Sequence, residues 1–124
     1  MAIIQRGALE ATIASYTGTG ANVNLDLGFI PAHAQALDVT SGANQWWWNS
    51  GFSSTTAAAS QTIWGVIATS DNSSAAVLAT ITNGAGGILP LDGSTGSGIG
   101  LVIGTNTVIN VSGHGYIVTA WQLH

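Results

Sequence analysis

Apolar and polar residues alternate in short runs along almost the whole chain. In residues 22–27, Val23, Leu25 and Leu27 fall on one face of an extended strand, and in residues 34–40 Leu37 and Val39 share a face. A period of two is the pattern of a half-buried β-strand. Strands are predicted on this basis at residues 11–17, 22–27, 34–40, 63–69, 76–82, 87–91, 99–103, 108–111 and 116–123.

Turn-forming pairs, such as Ser41-Gly42 and Asp92-Gly93, separate these strands at intervals of about 8–12 residues, as in β-sandwiches and barrels. A length of 124 residues suits a single domain. We therefore predict an all-β fold, a compact antiparallel β-sandwich that is jelly-roll-like or barrel-like, over residues 11–124. Residues 1–10 are predicted to form either an N-terminal arm or the first strand.

Charged side chains are scarce. The chain holds five acidic residues and one basic residue, Arg6, for a net charge of −4, whereas roughly a quarter of the residues of a typical globular protein are charged. Soluble domains usually rely on a mixed charged surface, so we expect neighbouring proteins to cover much of this one. The shortage of basic residues argues against nucleic acid and against an anionic membrane surface as partners. No apolar run approaches the length of a membrane helix.

Residues for catalysis or metal binding show no recognised pattern. The chain contains no cysteine, so it has neither a disulfide nor a thiolate metal site. Its histidines, His33, His114 and His124, lack the spacing of metal ligands. Asp26 and Asp38, on neighbouring predicted strands, are the one pair of carboxylates that could meet as in a glycosidase. We predict no cofactor, no metal and no enzymatic activity.

Three consecutive tryptophans form the most prominent aromatic feature. In an extended segment Trp46 and Trp48 share one face and Trp47 points the opposite way. One interpretation is that one face fills the core and the other a subunit interface, where tryptophan is enriched. The alternative is that Trp46 and Trp48 form an aromatic platform that binds glycan rings.

Residues 1–9 are a second candidate for contacts with a neighbour. Ile3, Ile4 and Leu9 flank Arg6 ahead of the first clear strand. An apolar arm can bury its side chains in a neighbour's groove, and the guanidinium can bind a carboxylate there through two hydrogen bonds. The same residues could instead form the first strand of the sandwich.

Two groups of motifs resemble a known family. The first group consists of Leu27-Gly28-Phe29-Ile30-Pro31, Leu37-Asp38-Val39-Thr40, Trp46-Trp47-Trp48 and Gly51-Phe52. The second group consists of Gly87-Ile88-Leu89-Pro90-Leu91-Asp92, the glycine-rich strand 98–104, Val108-Ile109-Asn110-Val111-Ser112-Gly113 and Tyr116-Ile117-Val118-Thr119-Ala120. Together they resemble the capsid decoration (cement) and head-fibre proteins of tailed bacteriophages, which have a β-sandwich fold. The resemblance spans most of residues 22–122.

This resemblance implies a structural virion protein that is made in the host cytoplasm and decorates the outer surface of the capsid. Such a protein forms a homotrimer and binds the major capsid protein, and it stabilises the shell without catalysis. Its candidate subunit or capsid interface is Ile3, Ile4, Arg6, Leu9, Trp46, Trp47 and Trp48. The alternative function is the receptor-binding or carbohydrate-binding tip of a phage fibre or spike, with Trp46 and Trp48 on the glycan.

Overall fold

A computed structural model describes residues 9–52, 63–69, 77–82, 86–93, 96 and 98–123. Within these residues the protein is all-β, and the predicted antiparallel sandwich is confirmed. Its strands are β1 (Leu9–Thr17), β2 (Val23–Asp26), β3 (His33–Asp38), β4 (Gln45–Asn49), β5 (Ile63–Thr69), β6 (Val77–Thr82), β7 (Ile88–Asp92), β8 (Ile99–Ile103) and β9 (Gly115–Leu123).

The strands form two packed sheets of unequal size. The larger sheet has six strands in the order β1-β9-β3-β4-β5-β6, and the smaller has three in the order β2-β8-β7. In the larger sheet β1 and β9 pair along their whole length, from Leu9 opposite Leu123 to Thr17 opposite Gly115. The sheets bury a common apolar core, so each sheet keeps one face for the interior and one for the exterior.

Small and large side chains are matched across the core face of β3 and β4. Ala34 lies opposite Trp48, and Ala36 lies opposite Trp46. Because alanine has little bulk, both indole rings fit against the neighbouring strand without a clash. The rest of the core consists mainly of aliphatic and aromatic residues from both sheets: Tyr16, Leu25, Ile81, Ile88, Leu101, Ile103, Ile109, Tyr116, Val118 and Ala120.

Residues 108–111 do not form the predicted strand, because side chains rather than a neighbouring strand hydrogen-bond their backbone. The Tyr16 hydroxyl donates to the carbonyl of Ile109 at 2.7 Å, and the Tyr116 hydroxyl donates to that of Val108 at 2.9 Å. The buried Asn110 amide group donates to the carbonyls of Ala21 and Gly104. Because these hydrogen bonds satisfy the backbone polar groups of the segment, it is stable without pairing with a neighbouring strand.

Candidate interaction surface

The larger sheet turns one face away from the core. This outer face is made by the odd-numbered residues among 11–17 of β1 and 115–121 of β9, by those of β3 and β4, and by Val66 and Ala68 of β5 and Leu78 and Thr80 of β6. None of these residues is Asp, Glu, Lys or Arg. The outer faces of antiparallel sheets are normally polar and solvated, so a face of this extent without charge is a candidate for contact with another protein.

Large aliphatic side chains are exposed across this outer face. Ile13 in β1 is 74% exposed and Leu78 in β6 is 70% exposed, while Leu37 and Ile117 are partly exposed between them. A shallow depression of about 410 Å³ lies at the centre of the face, lined by Gln35, Ala36, Leu37, Val39, Gln45, Ile117 and Thr119. The strand spacing of about 4.8 Å makes the face about 24 Å wide between β1 and β6. This width is sufficient for a protein–protein contact.

The described acidic residues lie away from the outer face. Asp26 ends β2 and Asp92 ends β7, so both belong to the smaller sheet. Glu10 is exposed near the start of β1, and Asp38 is buried on the core side of β3. Because acidic side chains on two copies of this chain would repel each other, the outer face is a better surface than the smaller sheet for meeting another copy.

Two of the three tryptophans that were predicted to contact a partner are buried in the core of the chain itself. Trp46 is 1% exposed and Trp48 is 0% exposed, so neither ring offers surface to a sugar or to a neighbouring subunit in this fold. Trp47 points to the opposite side of β4, as the alternation predicted, and is half-buried on the outer face between Gln35 and Val66. Of the three tryptophans, only Trp47 is available to a partner.

The buried tryptophan Trp46 belongs to a hydrogen-bonded aromatic group. Its indole N–H donates to the Tyr16 hydroxyl at 2.9 Å, and that hydroxyl donates to Ile109. The Tyr16 ring stacks on Tyr116 with centroids 4.7 Å apart. Burial raises the pKa of both tyrosine hydroxyls above the ordinary value, so they remain neutral donors. The group stabilises the core and presents no reactive atom to solvent.

The buried carboxylate of Asp38 forms a short hydrogen bond with His114, which belongs to the turn before β9. Its Oδ2 lies 2.7 Å from Nδ1 of His114, while Oδ1 accepts hydrogen bonds from the backbone N–H groups of Thr40 and Ser41 at 3.0 Å. Burial by itself raises the pKa of the Asp38 carboxyl. The hydrogen bonds from Ser41, His114 and Thr40 outweigh it, and the net pKa lies below the ordinary value. The pair fixes the turn after β3 against the turn before β9.

The candidate residues of the N-terminal segment are only partly described. Leu9 and Glu10 belong to β1, with their backbones opposite Leu123 and Gln122. Ile3, Ile4 and Arg6 lie outside the described residues. The choice between an arm and a first strand for residues 1–8 therefore stays a prediction, whereas β1 itself begins two residues earlier than the sequence pattern indicated.

The proposed pair of carboxylates does not form. Asp26 belongs to the smaller sheet and Asp38 to the larger one, and the Asp26 carboxylate instead accepts hydrogen bonds from the backbone N–H groups of Gly28 and Ile99. Among the described residues no group of three or more His, Cys, Asp or Glu could hold a metal ion. The same part of the chain contains no helix that is long and apolar enough to cross a membrane.

Sequence reasoning missed two features of this surface. The outward direction of Leu37 and Val39 was missed because apolar residues in alternation are usually assigned to a core. The hydrogen bond between Asp38 and His114 was missed because 76 residues separate them. No local signal was present for the first, because the acidic Asp38 shares its strand face with Ala34 and Ala36 and so favours that face as the outer one.

No family model matches the chain, and no curated protein or solved structure shows significant similarity to it.

Proposed function

We propose that this chain is a structural virion protein that decorates and stabilises the outside of a tailed-phage capsid. In this proposal it self-assembles, with a homotrimer as the expected form, and binds the major capsid protein. It carries no catalytic activity, and its effect on the shell comes from buried surface alone. The family resemblance of the sequence suggests this function.

The observation that carries the proposal is the charge-free, aliphatic outer face of the larger sheet. Leu37, Val39 and Ile117 surround the central depression and project from it. A partner that covers an apolar surface of this kind gains binding free energy of about 25 cal/mol for each Å² of apolar area removed from water. A shell presents many equivalent sites, so even modest individual contacts add up through multivalency.

Binding to heads tests the proposal. The purified protein would be mixed with undecorated capsids assembled from the major capsid protein of the same genome, and co-sedimentation and thermal stability of the capsids would be measured. The expected result is saturable binding and a higher temperature of capsid disruption. Leu37→Asp places a charge beside the depression and is expected to reduce binding by at least tenfold, because the carboxylate would be desolvated at the contact.

A matched control places the same charge elsewhere. Asn24 is exposed on β2 in the smaller sheet, so Asn24→Asp adds one carboxylate to the opposite side of the molecule. This variant should bind capsids like the unmodified chain. Equal loss in both variants would show that net charge rather than the outer face determines binding. No binding by the unmodified chain would refute the proposed function.

The alternative function, glycan binding by a fibre or spike tip, loses its two sequence candidates because Trp46 and Trp48 are buried. It would have to use Trp47 or the half-buried Trp121, whose ring lies against His33 with centroids 5.2 Å apart on the outer face. Binding of a host glycan that Trp121→Ala abolishes, together with absence of binding to capsids, would establish this alternative in place of the proposed function.

A further inference from the structure

Of the two edge strands of the larger sheet, β6 lacks the usual protection and β1 has only one charged residue. β1 and β6 end the strand order, and among the described residues no strand pairs with the far side of either. β1 carries one charged residue, Glu10, and β6 carries none, and neither strand contains proline, glycine or lysine. Soluble proteins normally protect an edge with charge, proline or a bulge, because its free N–H and C=O groups attract another strand.

The directions of the two edges are complementary. Every neighbouring pair in the six-stranded sheet is antiparallel, so β1 and β6 run in opposite directions. A second copy placed beside the first, with its outer face on the same side, therefore presents β6 antiparallel to β1. Such a contact continues the alternation of strand directions from one copy into the next.

The same two strands carry the most exposed aliphatic side chains of the described chain. Ile13 in β1 and Leu78 in β6 both project from the outer face. A register of this contact that sets Leu78 of one copy opposite or diagonal to Ile13 of the next makes the two side chains neighbours on one face. Aliphatic pairs in that position stabilise antiparallel sheets.

We propose that β1 of one copy pairs with β6 of the next, so that a closed ring of copies shares one continuous sheet. This inference rests on the self-association in the proposed function and assigns the strands that make it. A head-to-tail contact whose rotation closes into a ring satisfies both edges of every copy. A two-fold β1–β1 contact would leave β6 open.

Cysteine cross-linking tests the pairing directly, because the chain has no cysteine of its own. The doubly substituted chain Ile13→Cys, Leu78→Cys would be treated with a bis-maleimide that spans about 10 Å. Direct and diagonal cross-strand neighbours lie within that span. The expected result is covalent dimers and trimers with no larger species. Each single variant should stay uncross-linked, since equivalent residues of adjacent copies are six strand spacings apart, about 29 Å.

A second pair of variants separates the edge from the rest of the outer face. Ile13→Lys places a charge on the edge strand and is expected to convert the oligomer to monomer in sedimentation equilibrium. Ile117→Lys places the same charge on β9, which has β1 and β3 on its two sides, and should leave the oligomer intact. Near-ultraviolet circular dichroism checks that both variants remain folded.

The outcomes distinguish this inference from the proposed function. An oligomer in which the doubly substituted chain does not cross-link refutes the β1–β6 contact but leaves the capsid-binding proposal standing. Cross-linking of Ile13→Cys alone into dimers replaces the ring with a two-fold contact. A monomer that binds capsids also refutes the ring, whereas cross-linked trimers that do not bind capsids support the ring and refute the capsid function.

Discussion

Removing one hydroxyl from the aromatic group in the core is expected to destabilise the protein strongly. Tyr16→Phe keeps the ring, its stacking on Tyr116 and almost all of its volume. It removes the atom that accepts from the Trp46 indole N–H and donates to the carbonyl of Ile109. The substitution therefore leaves two buried polar groups without their partner while creating almost no cavity.

The magnitude follows from these two orphaned groups. A buried donor or acceptor without a partner costs about 1–3 kcal/mol, so the two together should lower the free energy of unfolding by about 2–6 kcal/mol. For a domain of this size each kcal/mol corresponds to roughly 4 °C. The expected fall in melting temperature is then about 8–24 °C.

The assay is urea and thermal unfolding followed by tryptophan fluorescence and circular dichroism. Protein concentration must be the same for each variant, because self-association contributes to apparent stability. A double-mutant cycle with Trp46→Phe isolates the shared hydrogen bond. Once the indole N–H is absent, Tyr16→Phe should cost less by about 1–2 kcal/mol. A loss below about 0.5 kcal/mol for Tyr16→Phe alone would refute this account of the core.

Two further predictions concern the tryptophans and acid pH. Trp48→Ala should destabilise the fold by about 3–5 kcal/mol because it truncates a fully buried aromatic residue. Trp47→Ala on the outer face should lower the free energy of unfolding by less than half as much. Equal losses for the two variants in urea unfolding would contradict the difference in burial between the two side chains. The lowered pKa of Asp38 means that its contribution to stability is complete above its unfolded pKa and is lost as pH falls through the folded pKa. The stability difference between the unmodified chain and Asp38→Asn should therefore shrink as pH falls from about 5 to 3, and a difference that is constant over this range would contradict the lowered pKa of Asp38.

The sequence predicted the fold class and most of the strands, because a period of two and frequent turns are local signals. It did not predict which face of β3 is inside. Leu37 and Val39 look like core residues, yet Ala34 and Ala36 face the interior, since Trp46 and Trp48 on the next strand fill that space. This decision depends on a non-local pairing between strands.

The same limit explains the segment 108–111, where alternation predicted a strand. Asn106 and the hydroxyls of Tyr16 and Tyr116 hydrogen-bond the backbone of this segment in place of a strand ladder, and these contacts join residues up to 93 positions apart. The candidate site was predictable only in part. Scarcity of charge indicated a covered surface, but the position of that surface on the larger sheet required the register of the strands.

The position of β9 in the larger sheet has a consequence for how the chain folds. β9 follows the other eight strands in sequence, yet it lies between β1 and β3 and pairs with both. β1 therefore has no neighbour in the sheet until the segment Gly115–Leu123 has been synthesised, more than 100 residues later. Contacts this distant in sequence slow folding because a long loop must close first. Folding is thus expected to be completed only after synthesis has passed β9, and a nascent chain that stops short of it should leave both backbone edges of β1 open to pairing with other chains, which favours aggregation.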